Sequence, residues 1–328
     1  MVTMLIRPAI AAAAAASIVL CAEPHVAAQG ATFKGGVDMV PLTVTVTNSA
    51  GRCVTGLTID DFAVFEDGVR QSVTFFASEP APVDLAFVID TSSSMANDLP
   101  LVQEAASGLA RKLRVGDRGA VIDVKGSVGI ARPLTADHAE IEAAIGGLSA
   151  SGGTAVYDGL YVVLREFERD RSHHDAIRRQ ALIVLSDGVD NKSHVPADQV
   201  VDLARGLGVN IYVIALKDAA AALPQVLTIT PEVTQAEYVL RSLARDTGGR
   251  IFFPTSAREL GTIYDVVAQE LASQYQLGYV PLRPGGDGTF RRVSVKVLPS
   301  TGGVARTRSG YTASRRRIAF APRSTPGN

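Results

Sequence analysis

Tryptophan is absent from this chain, and aromatic residues of all kinds make up only 6% of it. A surface built to stack sugars or unpaired bases needs several such rings, so the composition argues against both. Net charge of either sign is lacking too: Lys+Arg 32 against Asp+Glu 33 leaves a formal charge of -1 over 328 residues. Nothing in that balance draws the molecule onto nucleic acid or an anionic membrane, and any partner has to be recognised locally. Lysine stands only at Lys34, Lys112, Lys125, Lys192, Lys217 and Lys296, so arginine carries most of the positive charge. Long apolar runs are missing as well. The uncharged stretch from Pro8 to Ala22, behind Arg7, is mostly alanine and falls short of the roughly 18 apolar residues that cross a bilayer. It suits the core of a secretory signal, with Val26-Ala27-Ala28 ahead of Gln29 as small residues for cleavage. The expectation is a signal peptide over residues 1–28 and an exported bacterial protein, periplasmic, extracellular or on the cell surface, with no transmembrane segment after signal removal. Cys21 is a poor lipid acceptor because Leu20 stands where a small residue is needed. Without the leader Cys53 is alone, which excludes an internal disulfide and a cysteine-based zinc site and predicts a thiol in a core strand.

What is present is ample apolar material, 47% of the chain, in segments of changing period. Leu42, Val44 and Val46 alternate with Thr43, Thr45 and Thr47, the pattern of a half-buried strand. Phe62 to Glu66 and Val69 to Phe76 bracket Asp67-Gly68, a two-residue hairpin signal because both turn positions need positive φ. From Val83 the pattern changes. Nearly continuous apolar runs at Val83–Ile89, Ala181–Leu185 and Asn210–Leu216 are strands buried on both faces. Shorter β runs follow at Gly119–Val124, Val128–Ala131 and Arg250–Phe253. Helical spacing lies between them at Leu99–Leu113, Ala136–Leu148, Val156–Phe167, Asp198–Leu207 and Ala236–Asp246, with a last amphipathic helix at Ala257–Ser273. The alternation predicts an α/β fold, a mostly parallel, doubly wound sheet with helices on both sides. Period two returns at Tyr275–Pro281 and Arg292–Leu298, separated by a hairpin loop ending in Gly285-Gly286-Asp287-Gly288, and Val304–Tyr311 adds a third strand. The expected organisation is an N-terminal β segment over residues 29–80, the α/β domain over 81–273, a C-terminal β segment over 274–313 and a flexible tail over 314–328. Each β segment is too small to stand alone, so the two are expected to form one small module together.

Three short segments carry chemistry. The first buried run ends in Asp90-Thr91-Ser92-Ser93-Ser94, an acid followed by hydroxyls at alternating positions. Ser151-Gly152-Gly153-Thr154 opens a helix, and the run Ala181–Leu185 ends in Ser186-Asp187-Gly188. In an open α/β sheet ligands bind beyond the carboxyl ends of the strands, where all three segments lie. Any one of them alone also reads as a helix cap or a turn. Together they converge two carboxylates and three hydroxyls, an oxygen-only set that selects a hard cation, Mg²⁺ or Mn²⁺. Such a cation keeps water or an open position, and an open position attracts a carboxylate.

In these three elements the chain resembles the von Willebrand factor type A (VWA) domains, whose metal-ion-dependent adhesion site (MIDAS) reads DxSxS, then a Gly-Gly-Thr-like loop, then a Ser-Asp-Gly loop. The resemblance covers about Pro82 to Ser273. It implies a Rossmann-like sheet of six strands, with the hydroxyls of Ser92, Ser94 and Thr154 on the cation. In such domains the two aspartates often act through water, which places Asp90 and Asp187 behind the hydroxyls. Leu57–Phe65 with Glu66-Asp67-Gly68, then Gln274-Tyr275-Gln276-Leu277-Gly278-Tyr279 and Ser309-Gly310-Tyr311, resemble an exported bacterial branch of the family common in acidobacteria. One departure is Val121-Ile122-Asp123-Val124-Lys125-Gly126, where the family usually runs into a Ser- or Thr-rich turn. Asp123 either faces solvent, pairs near Lys125 or extends the acidic rim.

The function expected is a protein-interaction module, not an enzyme, whose cation takes an Asp or Glu from a partner protein. Two other classes compete: a metal-dependent hydrolase, and a structural envelope scaffold with an empty site. A hydrolase needs a positioned base, and beyond the leader the histidines are only His138, His173, His174 and His194. Of these His194, downstream of Asp187 in the polar loop Asp190–Ser193, is the one placed to touch a ligand.

Overall fold

The computed structural model describes residues 39–79, 81–171, 178–186, 190–216, 231–283 and 285–313, with 231–236 described in backbone only. The expected leader and tail, Asp187, His173 and His174 lie outside these residues.

The first alternating run forms β1 (Val40–Asn48), which buries Val40, Leu42, Val44 and Val46 on one face. β2 (Phe62–Glu66) turns through Asp67 at φ 48° and Gly68 at φ 81° into β3 (Val69–Gln71), the hairpin that the Asp-Gly pair predicts. The chain does not continue as one strand to Phe76. It breaks after Gln71, and β4 (Val73–Ala77) joins a different sheet. Cys53 departs from expectation in the same region, being half-buried in an isolated bridge to Thr47 rather than a core strand residue.

The α/β part runs β5 (Val83–Asp90), α1 (Leu99–Ala110), β6 (Arg118–Val124), β7 (Val128–Thr135), α2 (His138–Gly146), α3 (Val156–Arg171), β8 (Arg179–Ser186), α4 (Ala197–Leu207), β9 (Asn210–Ala215), α5 (Pro231–Thr247), β10 (Ile251–Phe252) and α6 (Leu260–Ala272). One turn of 3-10 helix, Ala257–Glu259, precedes α6. The six strands lie in the order β10-β9-β8-β5-β6-β7. All neighbours are parallel except β6 and β7, an antiparallel hairpin that closes one edge. Every residue of β5, β8 and β9 is buried because helices cover both faces. On one side Leu85, Phe87, Ile89, Ile183 and Leu185 pack against Val102 and Leu109 of α1, Ile141 of α2 and Tyr264 of α6. On the other, Ala86, Val88, Leu182 and Val184 pack against Leu160 and Leu164 of α3, Val200 of α4 and Leu243 of α5. From β5 the chain winds to one side, through β6 and β7. From β8 it winds to the other, through β9 and β10. The carboxyl ends of β5 and β8 therefore flank the point where strand order reverses, the place in such sheets where a crevice opens.

The remaining strands are β11 (Tyr275–Tyr279), β12 (Phe290–Val297), β13 (Gly303–Arg306) and β14 (Gly310–Thr312). They interleave with the N-terminal strands in two sheets, β13-β1-β11-β4 and β14-β12-β2-β3. The inner faces share one core that includes Leu42, Val44, Phe62, Val64, Tyr275, Leu277, Val293 and Val295. Chain ends some 200 residues apart in sequence thus build one sandwich, as their individual smallness requires. Two expectations are corrected here. β11 and β12 belong to different sheets, so the Gly285–Gly288 stretch crosses between sheets rather than closing a hairpin. The run Val304–Tyr311 is two short strands, one in each sheet.

Candidate functional site

β5 ends at Asp90, 1% exposed, so its carboxylate must find donors inside the protein. Its Oδ1 accepts the Ser92 N–H at 2.9 Å, and its Oδ2 accepts the Ser186 hydroxyl at 2.7 Å across from the end of β8. The chain then turns. Thr91 N–H donates to Val124 O at 2.7 Å, and a short 3-10 turn, Ser93–Asn97, follows. The turn brings the Ser92 and Ser94 hydroxyl oxygens to 3.0 Å from one another, with Ser92 buried and Ser94 exposed.

The second segment is stitched onto the first by two backbone hydrogen bonds, Ser151 N–H to Thr91 O at 2.7 Å and Ser93 N–H to Gly152 O at 3.1 Å. Gly152 has φ 72°, which a residue with a side chain rarely adopts. A Cβ on Gly153 would lie 2.9 Å from Asn191 Oδ1 and 3.0 Å from Lys192 Cγ. Thr154 follows, 3% exposed. Its N–H donates to Asn191 Oδ1 at 3.1 Å, while its carbonyl accepts the N–H groups of Asn191 and Lys192, both at 3.0 Å.

The loop that carries Asn191 also caps α3. Asp190 Oδ2 accepts the Tyr157 N–H at 3.0 Å and Ser193 Oγ accepts the Asp158 N–H at 3.0 Å, satisfying donors that the first turn leaves open. In return Asp158 Oδ1 accepts the N–H groups of His194 at 2.9 Å and Val195 at 2.8 Å, and its Oδ2 lies 3.0 Å from His194 Nδ1. Partial burial pushes the Asp158 carboxyl up, but the hydrogen bonds from Val195 and His194 outweigh it and hold it below its ordinary value. Burial and the neighbouring Asp190 push the Tyr157 phenol up to about 12.

Of the five sequence candidates, Asp90, Ser92 and Ser94 are directly assembled, and Thr154 sits on the loop bonded to them. Asp187 is beyond the described residues, directly after Ser186, whose hydroxyl touches Asp90. Asp123 resolves to pairing: it accepts the Thr91 hydroxyl, and its Oδ2 lies 2.9 Å from Lys125 Nζ. It therefore fixes Thr91, the residue between Asp90 and Ser92. His194 is largely exposed, its ring turned to Asp158. Sequence reasoning missed the supporting roles of Ser186 and Asn191. Asn191 is 37 positions from Thr154 in the chain, too far for any local pattern to flag it.

Among the described residues no group of three His, Cys, Asp or Glu side chains could hold a metal ion. The Ser92 and Ser94 hydroxyls, hydrogen-bonded to one another, are oxygen donors of the type that a hard cation takes. Neighbouring oxygens on an octahedral Mg²⁺ with bonds of 2.0–2.1 Å stand about 2.9 Å apart, close to the 3.0 Å between Ser92 Oγ and Ser94 Oγ.

A family model, the von Willebrand factor type A domain, matches residues 84–266. An uncharacterized protein of Borreliella burgdorferi is 29% identical over 146 residues, 42% of this chain and 41% of that relative, so the chain spans less than half of its length. Among solved structures, a von Willebrand factor type A protein from Catenulispora acidiphila is similar at a TM-score of 0.49 and 15% identity, over 86% of this chain and 76% of that one. Proximal thread matrix protein 1 from the mussel byssus, solved with a zinc-occupied MIDAS motif, is similar at a TM-score of 0.48 and 20% identity, over 63% of this chain and 49% of that one. The family model spans more than half of the chain, β5 to α6, the elements that hold Asp90, Ser92, Ser94 and Thr154: this chain belongs to the von Willebrand factor type A domain family.

Proposed function

We propose that this protein is an exported binding module. A Mg²⁺ or Mn²⁺ ion held at the β5–β8 crevice would take an Asp or Glu side chain of a partner protein. The observation that carries the reading is the pair of hydroxyls, Ser92 Oγ and Ser94 Oγ at 3.0 Å, above a buried Asp90 whose two oxygens are each oriented by a donor. Ser92, Ser94 and Thr154 would hold the cation, with Asp90 and Asp187 behind them. When bound, the cation supplies a positive charge with an open position for a carboxylate. The protein's own residues set the geometry: Ser186 orients Asp90, Asn191 orients Thr154, and Asp123 with Lys125 orients Thr91. A hydroxyl-rich site carries less negative charge than a carboxylate cage, which leaves the cation attractive to an incoming acid. The reading is of a binding protein rather than an enzyme, in keeping with the family to which the chain belongs.

Export rests on the leader-like residues 1–28. No helix among the described residues is long and apolar enough to cross a membrane. The test is capture of partner proteins from the native envelope with Mg²⁺ and then with chelator, for the wild type and Asp90→Ala. Retention that needs both the cation and Asp90 supports the reading, and retention indifferent to both ends it.

A further inference from the structure

The rim of the proposed cation site carries two of the chain's few lysines, and they are in different electrostatic states. The Gly126 backbone, beside Lys125, and the Lys192 side chain both lie close to the Gly152-Gly153 pair. Gly126, next to Lys125, has its backbone nitrogen 3.6 Å from where a Cβ on Gly152 would stand, and the Lys192 Cγ lies 3.0 Å from where a Cβ on Gly153 would stand. The Lys125 ammonium is neutralised, 2.9 Å from Asp123 Oδ2 and 3.4 Å from the Ser149 carbonyl oxygen. Lys192 differs. Its backbone is fixed by the bonds from its N–H to Thr154 O at 3.0 Å and to Asp190 Oδ1 at 3.3 Å, and its stem lies along Gly153, but its side chain is exposed with no ion pair among the described residues. The carboxylate two positions before it, Asp190, is occupied by hydrogen bonds, accepting from the N–H groups of Tyr157, Lys192 and Ser193 and from the Ser193 hydroxyl. A long stem laid on backbone with its charged head in water is an ordinary lysine arrangement. Here the backbone beneath it is the Gly153-Thr154 segment of the site itself, and Gly153 lacks the side chain that would displace the stem.

Resting on the proposed cation–carboxylate reading, we propose that Lys192 is a specificity-determining residue that takes a second carboxylate of the partner. The partner feature that fits is a pair of acidic side chains close together on one exposed segment, one for the cation and one for the Lys192 ammonium. A single acid satisfies only the cation. A basic residue beside the acid is repelled by both charges. Rim charges of this kind act on partner choice and association rate more than on total affinity, and the ammonium, a compact charge on a flexible stem, tolerates variation in the spacing of the second acid.

The experiment uses the full chain and three synthetic glycine-serine peptides carrying one aspartate, two neighbouring aspartates, or one aspartate beside one lysine. Each is titrated to millimolar concentration by NMR in Mg²⁺ and in chelator. In wild type the two-aspartate peptide is expected to bind roughly fivefold more tightly than the one-aspartate peptide, the upper range for an exposed ion pair, and the aspartate–lysine peptide to bind most weakly. Lys192→Ala should abolish the preference while keeping Mg²⁺-dependent binding of the one-aspartate peptide, and Lys192→Glu should reverse it. Both substitutions are at an exposed side chain, so unchanged thermal unfolding serves as the control for folding. Mg²⁺-dependent binding with equal affinities for the one- and two-aspartate peptides, or a preference that survives in Lys192→Ala, overturns this inference and leaves the cation reading standing. No Mg²⁺-dependent binding of any peptide overturns the cation reading and this inference with it.

Discussion

A buried carboxylate is worth as much to a site as the donors that hold it. Asp90 keeps its two oxygens on Ser92 N–H and the Ser186 hydroxyl, so Ser186→Ala removes one donor from an acid with no access to water. The expected costs are about 1–3 kcal/mol of stability and a roughly 10- to 100-fold loss of cation affinity, the usual effect of removing a group that orients a ligand. Thermal unfolding and a Mn²⁺ titration would read the two effects separately. Gly153→Ala is a sharper case. The added Cβ would stand 2.9 Å from Asn191 Oδ1, the atom that receives the Thr154 N–H, so Thr154 should shift and cation affinity fall while the exposed loop costs little stability. Asp90, Ser92 and Ser94 could be read from sequence because a single tight turn links them, so adjacency in the chain is adjacency in space. Ser186 and Asn191 could not be assigned their roles that way. One acts across a strand pair and the other across two loops, and only the sheet order brings either to its partner.

At the level of elements, the position of α3 sets the position of Thr154. Gly159 of α3 packs so closely on β6 that a Cβ there would stand 2.6 Å from Val124 Cγ2. Gly159→Ala should lift the first turn of α3 from the sheet, destabilising by roughly 1–3 kcal/mol as overpacking does and weakening cation binding at a distance. Asp158 makes the same turn sensitive to acid. Because the fold holds its pKa below the ordinary 3.8 and so favours the carboxylate, it stabilises the loop over 190–195 at pH values above that, and the contribution is lost as pH falls below it. Amide exchange in 190–195 is expected to rise on acidification below this value in wild type, and to be high already at neutral pH in Asp158→Ala. Periods of two and of 3.6 marked almost every strand and helix, but period does not say which sheet a strand joins. Val69–Phe76 reads as one alternating run, yet Gln71 is buried, with its Oε1 accepting the Leu282 N–H at 3.1 Å, and the chain changes sheet just beyond it. The same limit applies to Val304–Tyr311, whose two halves serve opposite sheets.

Across the whole molecule, the sandwich and the α/β part are joined by buried charge. Glu270 of α6, 1% exposed, lies 3.3 Å from Arg250 and is also paired with Arg306 of β13. Arg306 Nε further donates to Gly248 O at 3.1 Å. Nearby, burial pulls the Arg308 guanidinium down to about 10, and it donates to Arg205 O at the end of α4 and to Pro41 O in β1, both at 2.9 Å. Glu270→Ala would remove the shared partner of two part-exposed arginines, so a loss of about 1–3 kcal/mol is expected, visible as a lower unfolding midpoint, while Glu270→Gln should cost less because it keeps the shape and part of the bonding. That the flanking β segments belong together followed from their size. How they are locked to the α/β part did not, because Glu270, Arg306 and Arg308 carry no local pattern of their own. The proposed recognition site is the crevice between β5 and β8. The most direct measurement is a calorimetric titration of Mn²⁺ and Mg²⁺ into metal-free protein, wild type beside Ser92→Ala and Ser94→Ala. One cation per chain with affinity lost in both variants is the expected result, and no binding, or binding unchanged by either substitution, would contradict it.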